Sequence, residues 1–217
     1  MPETKMIRTG IRALDETAGA LLPGQVILIG YRSGADGDSV AHAIAHHVGL
    51  KQGVKTILFD VELPHEEAMR RLAAMEPGPL PPSGDAAGAD RPTDTRARLL
   101  GGALTVAEGR WHEMSDLRPA IEPDTQVVVL NAARLLEGFG GESLRWLASE
   151  SGACVVATVR LNHQADGRAA TLMDLPGGSS LAQGVDTVIL PGRRTRHGEV
   201  NFELAKSRSN SVTLSLH

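Results

Sequence analysis

A turn rich in glycine and aspartate follows the first strongly apolar segment of the chain, and its residue types are close to those of a phosphate-binding loop. Residues 32–39 read R-S-G-A-D-G-D-S. In the motif G-x-x-x-x-G-K-[ST], glycine allows backbone N–H groups to surround a phosphate at a helix N-terminus, and the lysine contacts the β- and γ-phosphates. The turn is therefore the first candidate site, with nucleotide phosphate as its candidate ligand.

The lysine of that motif is missing in either alignment of the turn. With a one-residue gap, Gly37 becomes the second glycine, Asp38 replaces the lysine and Ser39 keeps the hydroxyl group. Without the gap, Gly37 itself takes the lysine position. No lysine occurs between Lys5 and Lys51. The turn therefore lacks the cation that the β- and γ-phosphates require.

The charges that remain near the turn oppose a nucleotide more than they favour it. Asp36 and Asp38 stand where the phosphates would lie. A nearby pair of like charges costs about 1 kcal/mol in water-like surroundings and several times that near a protein surface. Arg32 and Gly34 could still contact phosphate, although Arg32 precedes the loop. Two interpretations stay open: binding of ATP with Mg²⁺, or a structural remnant of a phosphate loop, which the charges favour.

Two predicted strand ends carry polar side chains that could act on water or on a metal ion. Glu62 follows the strand at 56–60 and could act as a general base, or it could simply enter a helix near Pro64. Asn131 follows the strand at 126–130, and its amide cannot supply the negative charge with which a carboxylate holds Mg²⁺ through its waters. Because the Asn131 amide has no charge, hydrolysis by the ordinary mechanism is not expected.

Short apolar strands that alternate with helices must position these groups. The predicted strands lie at 26–30, 56–60, 103–106, 126–130 and 153–159, and the predicted helices at 40–50, 65–75, 116–121 and 142–151. This pattern indicates a parallel sheet covered on both faces. Three further strands, at 185–190, 199–205 and 211–216, follow one another across short polar segments and predict an antiparallel edge. The predicted fold class is α/β, with a mostly parallel central sheet flanked by helices.

The bulk properties predict one globular domain over residues 1–217, with a mobile loop at 77–95 rich in Pro, Gly, Ala and Asp. The formal net charge of −4 argues against a large electrostatic surface for nucleic acid. A single cysteine, Cys154, excludes an internal disulfide and is expected in the core. Without an apolar stretch of about 20 residues or a signal peptide, the chain is expected to be cytoplasmic, with no membrane partner.

Residues 9–24 read T-G-I-R-A-L-D-E-T-A-G-A-L-L-P-G and resemble the start of the RecA-type cores of DnaB-like replicative helicases. In that family, and secondly in RadA- and KaiC-like proteins, a T-G-(apolar)-x-x-L-D segment and a G-L-x-P-G turn lead into the first strand and the phosphate loop. The resemblance continues in motif order from Ile7 to Leu216. It implies a RecA-like P-loop NTPase fold in which the phosphate loop (Walker A) and the Walker B motif are degenerate.

The resemblance also implies roles for individual residues. Residues 60–63, D-V-E-L, look like the family's S-L-E-M segment, which places Glu62 at the position of the water-activating glutamate. Asn131 falls at the Walker B aspartate, and Arg160 replaces the glutamine that senses the γ-phosphate. Two of the groups that handle the nucleotide are thus exchanged for residues of different charge.

Two C-terminal segments resemble parts of the family that contact DNA or a neighbouring subunit. Residues 174–186 resemble a segment that contacts single-stranded DNA, with Pro176 and Gly177 in place of its arginine and glutamate. Lys206 and Arg208 keep the K-x-R spacing of a pair that reaches the neighbour's nucleotide as an arginine-finger device. On a strand these two side chains share one face. A partner-binding edge and an edge strand protected by charge both stay open.

His42 and His46 lie at i and i+4 of the first predicted helix, a spacing that could bind a metal ion. No acidic third ligand stands near them in the sequence. A solvated helix face is therefore expected, and no metal site is predicted.

Loss of the lysine and of the Walker B acid predicts a non-hydrolysing binding or scaffold module linked to DNA replication or repair, without a cofactor. Its expected partners are copies of itself or a related RecA-type ATPase or helicase. Single-stranded DNA is a weaker candidate, because the chain offers few stacking aromatics. The alternative is an active helicase-type ATPase that binds ATP and Mg²⁺, with Arg32 or a partner's residue replacing the lysine. A third interpretation is a domain that senses another ion near Asp36, Asp38 and Ser39.

Overall fold

A seven-stranded sheet with strand order β3-β2-β4-β5-β1-β6-β7 runs through the centre of the described chain. The computed structural model describes residues 6–32, 36–75, 102–162, 168–194 and 200–207. The predicted loop at 77–95 and the predicted strand at 211–216 lie outside these residues. The strands are β1 (Val26–Tyr31), β2 (Thr56–Asp60), β3 (Leu104–Val106), β4 (Val127–Asn131), β5 (Cys154–Arg160), β6 (Thr187–Arg194) and β7 (Val200–Ser207).

All neighbouring strands pair in parallel except β6 and β7, which pair antiparallel. The predicted fold class and the predicted antiparallel edge are therefore confirmed. In parallel strands the carboxyl ends meet at one edge of the sheet, and ligands of such sheets bind at that edge. Here the edge collects the last residues of β1, β2, β4 and β5.

Helices cover both faces of the sheet, and one predicted helix is wrong. The helices are α1 (Arg12–Ala18), α2 (Asp36–His46), α3 (His65–Ala74), α4 (Gly141–Ser151) and α5 (Ser179–Gln183), and α2 continues into a π-helical turn at His47–Lys51. The helix predicted at 116–121 is instead a pair of 3₁₀ turns, Met114–Asp116 and Arg118–Ala120. Pro119 has no backbone N–H to donate, which disfavours a continuous α-helix there.

Two apolar clusters form the core, one on each face of the sheet. Phe59 and Leu130 contribute to the cluster that α4 covers, whereas Leu58 and Val129 contribute to the cluster that α2 covers. This alternation is the period of a strand, so uniformly apolar strands bury both faces. Cys154 is buried as expected, and burial raises the pKa of its thiol to about 12.

The threonine, glycine and aspartate of the N-terminal T-G-I-R-A-L-D segment have a structural role in this chain. The Asp15 carboxylate accepts hydrogen bonds from the Thr9 N–H and Thr9 hydroxyl, both at 2.7 Å, and from the Gly10 N–H at 3.2 Å. Gly10 has a φ of +78°, and a Cβ there would lie 2.1 Å from Cγ of His47. The segment therefore fastens the chain before α1 against the end of the α2 helix.

Two glycines bring α4 and the end of α5 into backbone contact. A Cβ on Gly184 would lie 2.0 Å from the carbonyl carbon of Gly141, and a Cβ on Gly141 would lie 2.8 Å from Cα of Gly184. Arg145 closes the same contact, since its Nε donates to the Gly184 carbonyl at 3.2 Å. The spacing between these two helices thus depends on the absence of side chains at both positions.

None of the helices among the described residues is long and apolar enough to cross a membrane.

Candidate functional site

The helix α2 begins at Asp36, within the stretch 32–39 of the phosphate-loop position and five residues after the end of β1 at the carboxyl edge. Gly34 and the side chains of residues 36–38, which include Gly37 and Asp38, lie outside the described residues. Ser39 is exposed in the first turn of α2. The contacts proposed for the loop glycines and Asp38 therefore stay predictions, and the site is built here from the residues around the loop.

Beneath α2, four buried polar side chains from four different elements meet at this edge. His42 lies on α2, Asp60 ends β2, Asn131 ends β4 and Thr158 lies on β5. Nε2 of His42 lies 3.0 Å from Oδ2 of Asp60, the Asn131 amide donates to the same Oδ2 at 3.1 Å, and the Thr158 hydroxyl donates to Oδ1 of Asn131 at 3.0 Å. We call this group the edge network.

Protein donors use both oxygens of the Asp60 carboxylate. Oδ1 accepts the backbone N–H groups of Glu62 at 3.1 Å and Leu63 at 2.8 Å, while Oδ2 faces Asn131 and His42. Burial on its own would raise the pKa of Asp60, but the contacts with His42, the Leu63 N–H and Asn131 outweigh it and lower the pKa. A carboxylate offers about four lone-pair positions. Asp60 is thus ionised at neutral pH, and three hydrogen-bond donors and the His42 imidazole already face its two oxygens.

Asp60 and Asn131 are direct register partners on neighbouring parallel strands. The family resemblance predicts a neutral residue at the position of Asp60 and the Walker B acid at the position of Asn131. On that prediction, the acid and the neutral residue have exchanged strands in this chain. Had Asn131 been an aspartate, two buried carboxylates would lie about 3 Å apart, which is strongly unfavourable.

The chain bends sharply just after Asn131. Ala132 has a φ of +53°, and among the described residues it alone has a left-handed conformation without being glycine. Its N–H donates to the Thr158 hydroxyl at 3.2 Å. Such a conformation costs on the order of 1–3 kcal/mol and persists where surrounding contacts hold it. The edge network therefore fixes the backbone as well as the side chains at the end of β4.

Glu62 lies at the same edge but outside the network. Its side chain is exposed, and its described contact is the backbone hydrogen bond to Asp60. Among the described residues no partner holds its carboxylate. This position is compatible with the predicted general base and with a surface residue before α3, so the predicted role stays a prediction.

Arg32 directly follows β1 and turns its guanidinium toward β6. Its Nη2 donates to the backbone carbonyls of Arg168 and, at 3.1 Å, Pro191. Two backbone carbonyls thus already accept hydrogen bonds from Arg32, the candidate replacement for the missing lysine.

The remaining predicted site residues lie on the central strand β5 and on the edge strand β7. Arg160 is exposed at the end of β5 and pairs in register with Tyr31 of β1. Lys206 lies on β7, and its Nζ donates to the carbonyls of Ala182 and, at 2.9 Å, Val185 at the end of α5. In this chain Lys206 therefore stabilises a helix C-terminus. Arg208 lies outside the described residues, so the trans-acting role of the pair stays a prediction.

The expectation of a solvated histidine face on α2 is wrong. His42 is completely buried and His46 is 7% exposed. Asp60 supplies the polar partner that lets His42 lie inside. Within the described ranges, no group of three or more His, Cys, Asp or Glu side chains could hold a metal ion.

Sequence reasoning placed Asn131 and Glu62 at this edge but missed three members of the edge network, namely His42 as a buried contact, Asp60 and Thr158. Asp60 could have been found, because an acid that ends an apolar strand beside the Walker B position must be paired or hydrated. Thr158 carries no such signal, since threonine is common in buried strands.

No protein-family model matches the chain. Over an alignment of 239 positions it is 26% identical to the replicative DNA helicase DnaB of Treponema pallidum, covering 95% of this chain and 52% of that helicase. It is 28% identical over 235 positions to the replicative DNA helicase DnaB of Leifsonia xyli subsp. xyli, covering 94% of this chain and 51% of that helicase. The chain therefore spans about half the length of the curated relatives that it matches.

Solved structures share the fold. A DnaB-like replicative helicase, described with its interactions with primase, superposes with a TM-score of 0.68 at 14% identity, over 90% of this chain and 58% of that one. The chain has a DnaB-like RecA-type core. A solved ATPase domain agrees, with a TM-score of 0.73 at 16% identity over 94% of this chain and 84% of that domain. The predicted family resemblance is confirmed, and the edge network lies at the carboxyl edge of this DnaB-like core.

Beside β5, residues 168–175 form a turn around Asp174, which we call the Asp174 turn. The buried Asp174 carboxylate accepts two hydrogen bonds from Arg168, at 2.6 and 2.8 Å, and two from the N–H and hydroxyl of Thr171, at 2.7 and 3.0 Å. The Arg168 bonds are the main cause that lowers the pKa of Asp174 to about 2, against the opposing effect of burial.

Asp174→Asn is expected to lower the free energy of unfolding by about 2 kcal/mol at pH 7, since each unit of pKa shift corresponds to about 1.4 kcal/mol. The folded pKa lies below the unfolded value, so this stability is present above about pH 4 and lost as the pH falls toward 2. Urea unfolding of both proteins between pH 7 and pH 3 measures the difference. A difference in unfolding free energy between the two proteins that stays constant across this pH range would contradict the lowered pKa of Asp174.

Proposed function

We propose that this DnaB-like core is a non-hydrolysing binding or scaffold module that works beside DNA replication or repair proteins in the cytoplasm. The sequence relation to replicative helicases supports the link to replication. The observation that supports the absence of hydrolysis is the edge network, in which the residue at the predicted Walker B position is the neutral Asn131 and Asp60 accepts three hydrogen bonds from the protein itself.

The shortage of positively charged side chains near the phosphate-loop position supports the same proposal. The sequence has no lysine between Lys5 and Lys51. Arg32, the cation directly before the loop, donates to two backbone carbonyls. To bind a nucleotide, Arg32 would have to give up these bonds while Asp36 and Asp38 remained nearby. Nucleotide binding at this edge is thus opposed by charge as well as by the loss of the lysine.

The proposed partners are proteins that share the fold. One solved relative is described with its interactions with primase, and it is a longer chain than this one. For this chain we propose contact with further copies of itself or with a related RecA-type ATPase or helicase. The K-x-R pair at Lys206 and Arg208 is the proposed contact edge, where Lys206 would exchange its bonds to the end of α5 for a partner. Single-stranded DNA is a weaker candidate ligand.

Thermal unfolding in the presence of ATP or ADP with Mg²⁺ tests the proposal. A nucleotide at 100 times its dissociation constant adds about 2.7 kcal/mol of stability, which corresponds to roughly 5–10 °C for a chain of this size. We expect no shift at 5 mM nucleotide and no phosphate release above background, and single-stranded DNA should not change either result.

The exposed Glu62 carboxylate favours the alternative, an active helicase-type ATPase. Glu62→Gln is the matched variant, because it keeps the shape of the side chain and removes only its basicity. Mg²⁺-dependent ATP turnover by the unaltered chain that Glu62→Gln abolishes would establish the alternative and end the proposal. A melting shift with nucleotide but without turnover would leave a binding module that uses nucleotide as a ligand.

A further inference from the structure

Arg32 connects the end of β1 to a segment that lies far away in the sequence. Its Nη2 donates to the carbonyl of Arg168, which begins the Asp174 turn, and to the carbonyl of Pro191 on β6. The Pro191 carbonyl also accepts the N–H of Ala170, at 3.1 Å. Arg32 and Ala170 of the turn thus share the Pro191 carbonyl as their acceptor. Arg32 therefore contacts both the start of the turn and strand β6.

The Asp174 turn depends on contacts that start from the residue that Arg32 holds. The Arg168 guanidinium forms the two bonds to Asp174, so the position of the Arg168 backbone determines where that guanidinium can reach. On the other side, the Asn162 N–H donates to the Asp174 carbonyl at 2.9 Å, which ties the turn to the residues just after β5. The turn is therefore bound between the ends of β5, β1 and β6.

The turn exposes one apolar side chain. Met173 is 71% exposed, the highest value among the large hydrophobic residues of the described chain. It stands between Leu172, which packs against the core, and the buried Asp174. A side chain presented on a fixed turn loses little conformational freedom when it contacts another surface.

We propose that Arg32 is a positioning residue that holds the Asp174 turn, with Met173 at its tip, from the end of β1. Through Arg32, the residues that follow β1 and the Asp174 turn keep a fixed position relative to each other. A hydrogen bond from a charged donor is stronger than one between neutral groups, and a planar guanidinium can bridge two carbonyls at once. The inference does not depend on whether nucleotide binds or is hydrolysed.

Amide hydrogen exchange in Arg32→Gln tests this role. The amides of Ala170 and Thr171, which donate to Pro191 and Asp174, should exchange about 10- to 100-fold faster, the range for losing a hydrogen bond from a charged donor. Amides in the centre of β4 and β5 should keep their rates. The pKa of Asp174, followed by its carboxyl carbon, should rise, because a loosened Arg168 no longer holds its carboxylate.

Two further variants separate positioning from general destabilisation. Arg193→Gln removes an exposed arginine of the same strand as Pro191 and should leave both the exchange rates and the Asp174 titration unchanged. Arg32→Lys keeps the charge on a shorter side chain, so its ammonium reaches less far toward the two carbonyls than Nη2 does, and it should restore the titration in part. Unchanged Ala170 and Thr171 rates with an unchanged Asp174 pKa in folded Arg32→Gln would overturn the proposal. If Arg32→Gln does not fold, the same comparison is made with Arg32→Lys.

Discussion

Asn131→Asp is expected to destabilise the DnaB-like core by about 3–5 kcal/mol at pH 7, the range for an uncompensated buried charge. The new carboxylate would take the place of the amide that donates to Asp60 at 3.1 Å. A hydrogen bond would be lost and two like charges would face each other inside the protein. Restoring the family's Walker B acid by itself should therefore harm this chain.

The pH dependence of that loss identifies its cause. Repulsion from Asp60 raises the folded pKa of the introduced acid above its unfolded value, so the deficit is largest at neutral pH and shrinks as the pH falls and the pair takes up a shared proton. Urea unfolding at pH 7 and pH 5 measures the change. A deficit that grows toward acid pH would contradict repulsion as its source.

The double variant Asp60→Asn with Asn131→Asp tests the exchange directly. It restores one acid and one amide in the same register pair, with the two positions reversed. We expect it to recover more than half of the stability that Asn131→Asp loses, because coupled neighbours are not additive. If the stability losses of Asp60→Asn and Asn131→Asp simply add up in the double variant, the two positions are not energetically coupled.

Gly184→Ala is expected to lower the free energy of unfolding by about 3 kcal/mol or more, at the upper end of the usual cost of overpacking. The added methyl group would lie 2.0 Å from a backbone carbon of Gly141, and backbone cannot rotate out of the way. The helices α4 and α5 must therefore separate.

Gly140→Ala is the matched control for the helix contact. Gly140 directly precedes α4, has an extended φ of −174°, and a Cβ there meets nothing within 4 Å among the described atoms. Its free energy of unfolding should change by no more than about 1 kcal/mol, the usual cost of alanine at a helix N-cap. Equal losses in the two variants would show that helix propensity, and not the close contact, decides the outcome.

Local pattern was sufficient to predict most of the sheet. The bounds of β2 were predicted to the residue and those of β4 within one residue, because their apolar runs end at polar residues that mark the edge. The chain around α1 gave no periodic signal, since the helix has seven residues and buries only Leu14. Its stability comes from the bonds between Asp15 and Thr9, which depend on the fold of the preceding segment.

The candidate site was less predictable because its members meet only through tertiary structure. Asn131 and Glu62 were predicted at the carboxyl edge from strand ends alone. His42 was expected in water, since a histidine in a helical pattern counts as polar. Its burial depends on Asp60, at the end of the next strand, because Asp60 gives the buried imidazole a polar partner. Contacts of this kind become visible only when the strands are in register.

Cys154 gives the chain a practical property for experiments on its surfaces. It is the one cysteine of the sequence, it is buried, and its pKa is about 12. The thiol therefore stays protonated at pH 7, and burial keeps reagents away from it. A cysteine introduced by Met173→Cys or Leu135→Cys, both at exposed positions, would react with a maleimide dye while the native thiol stays unmodified. Fluorescent labelling of this protein therefore requires no cysteine-free background.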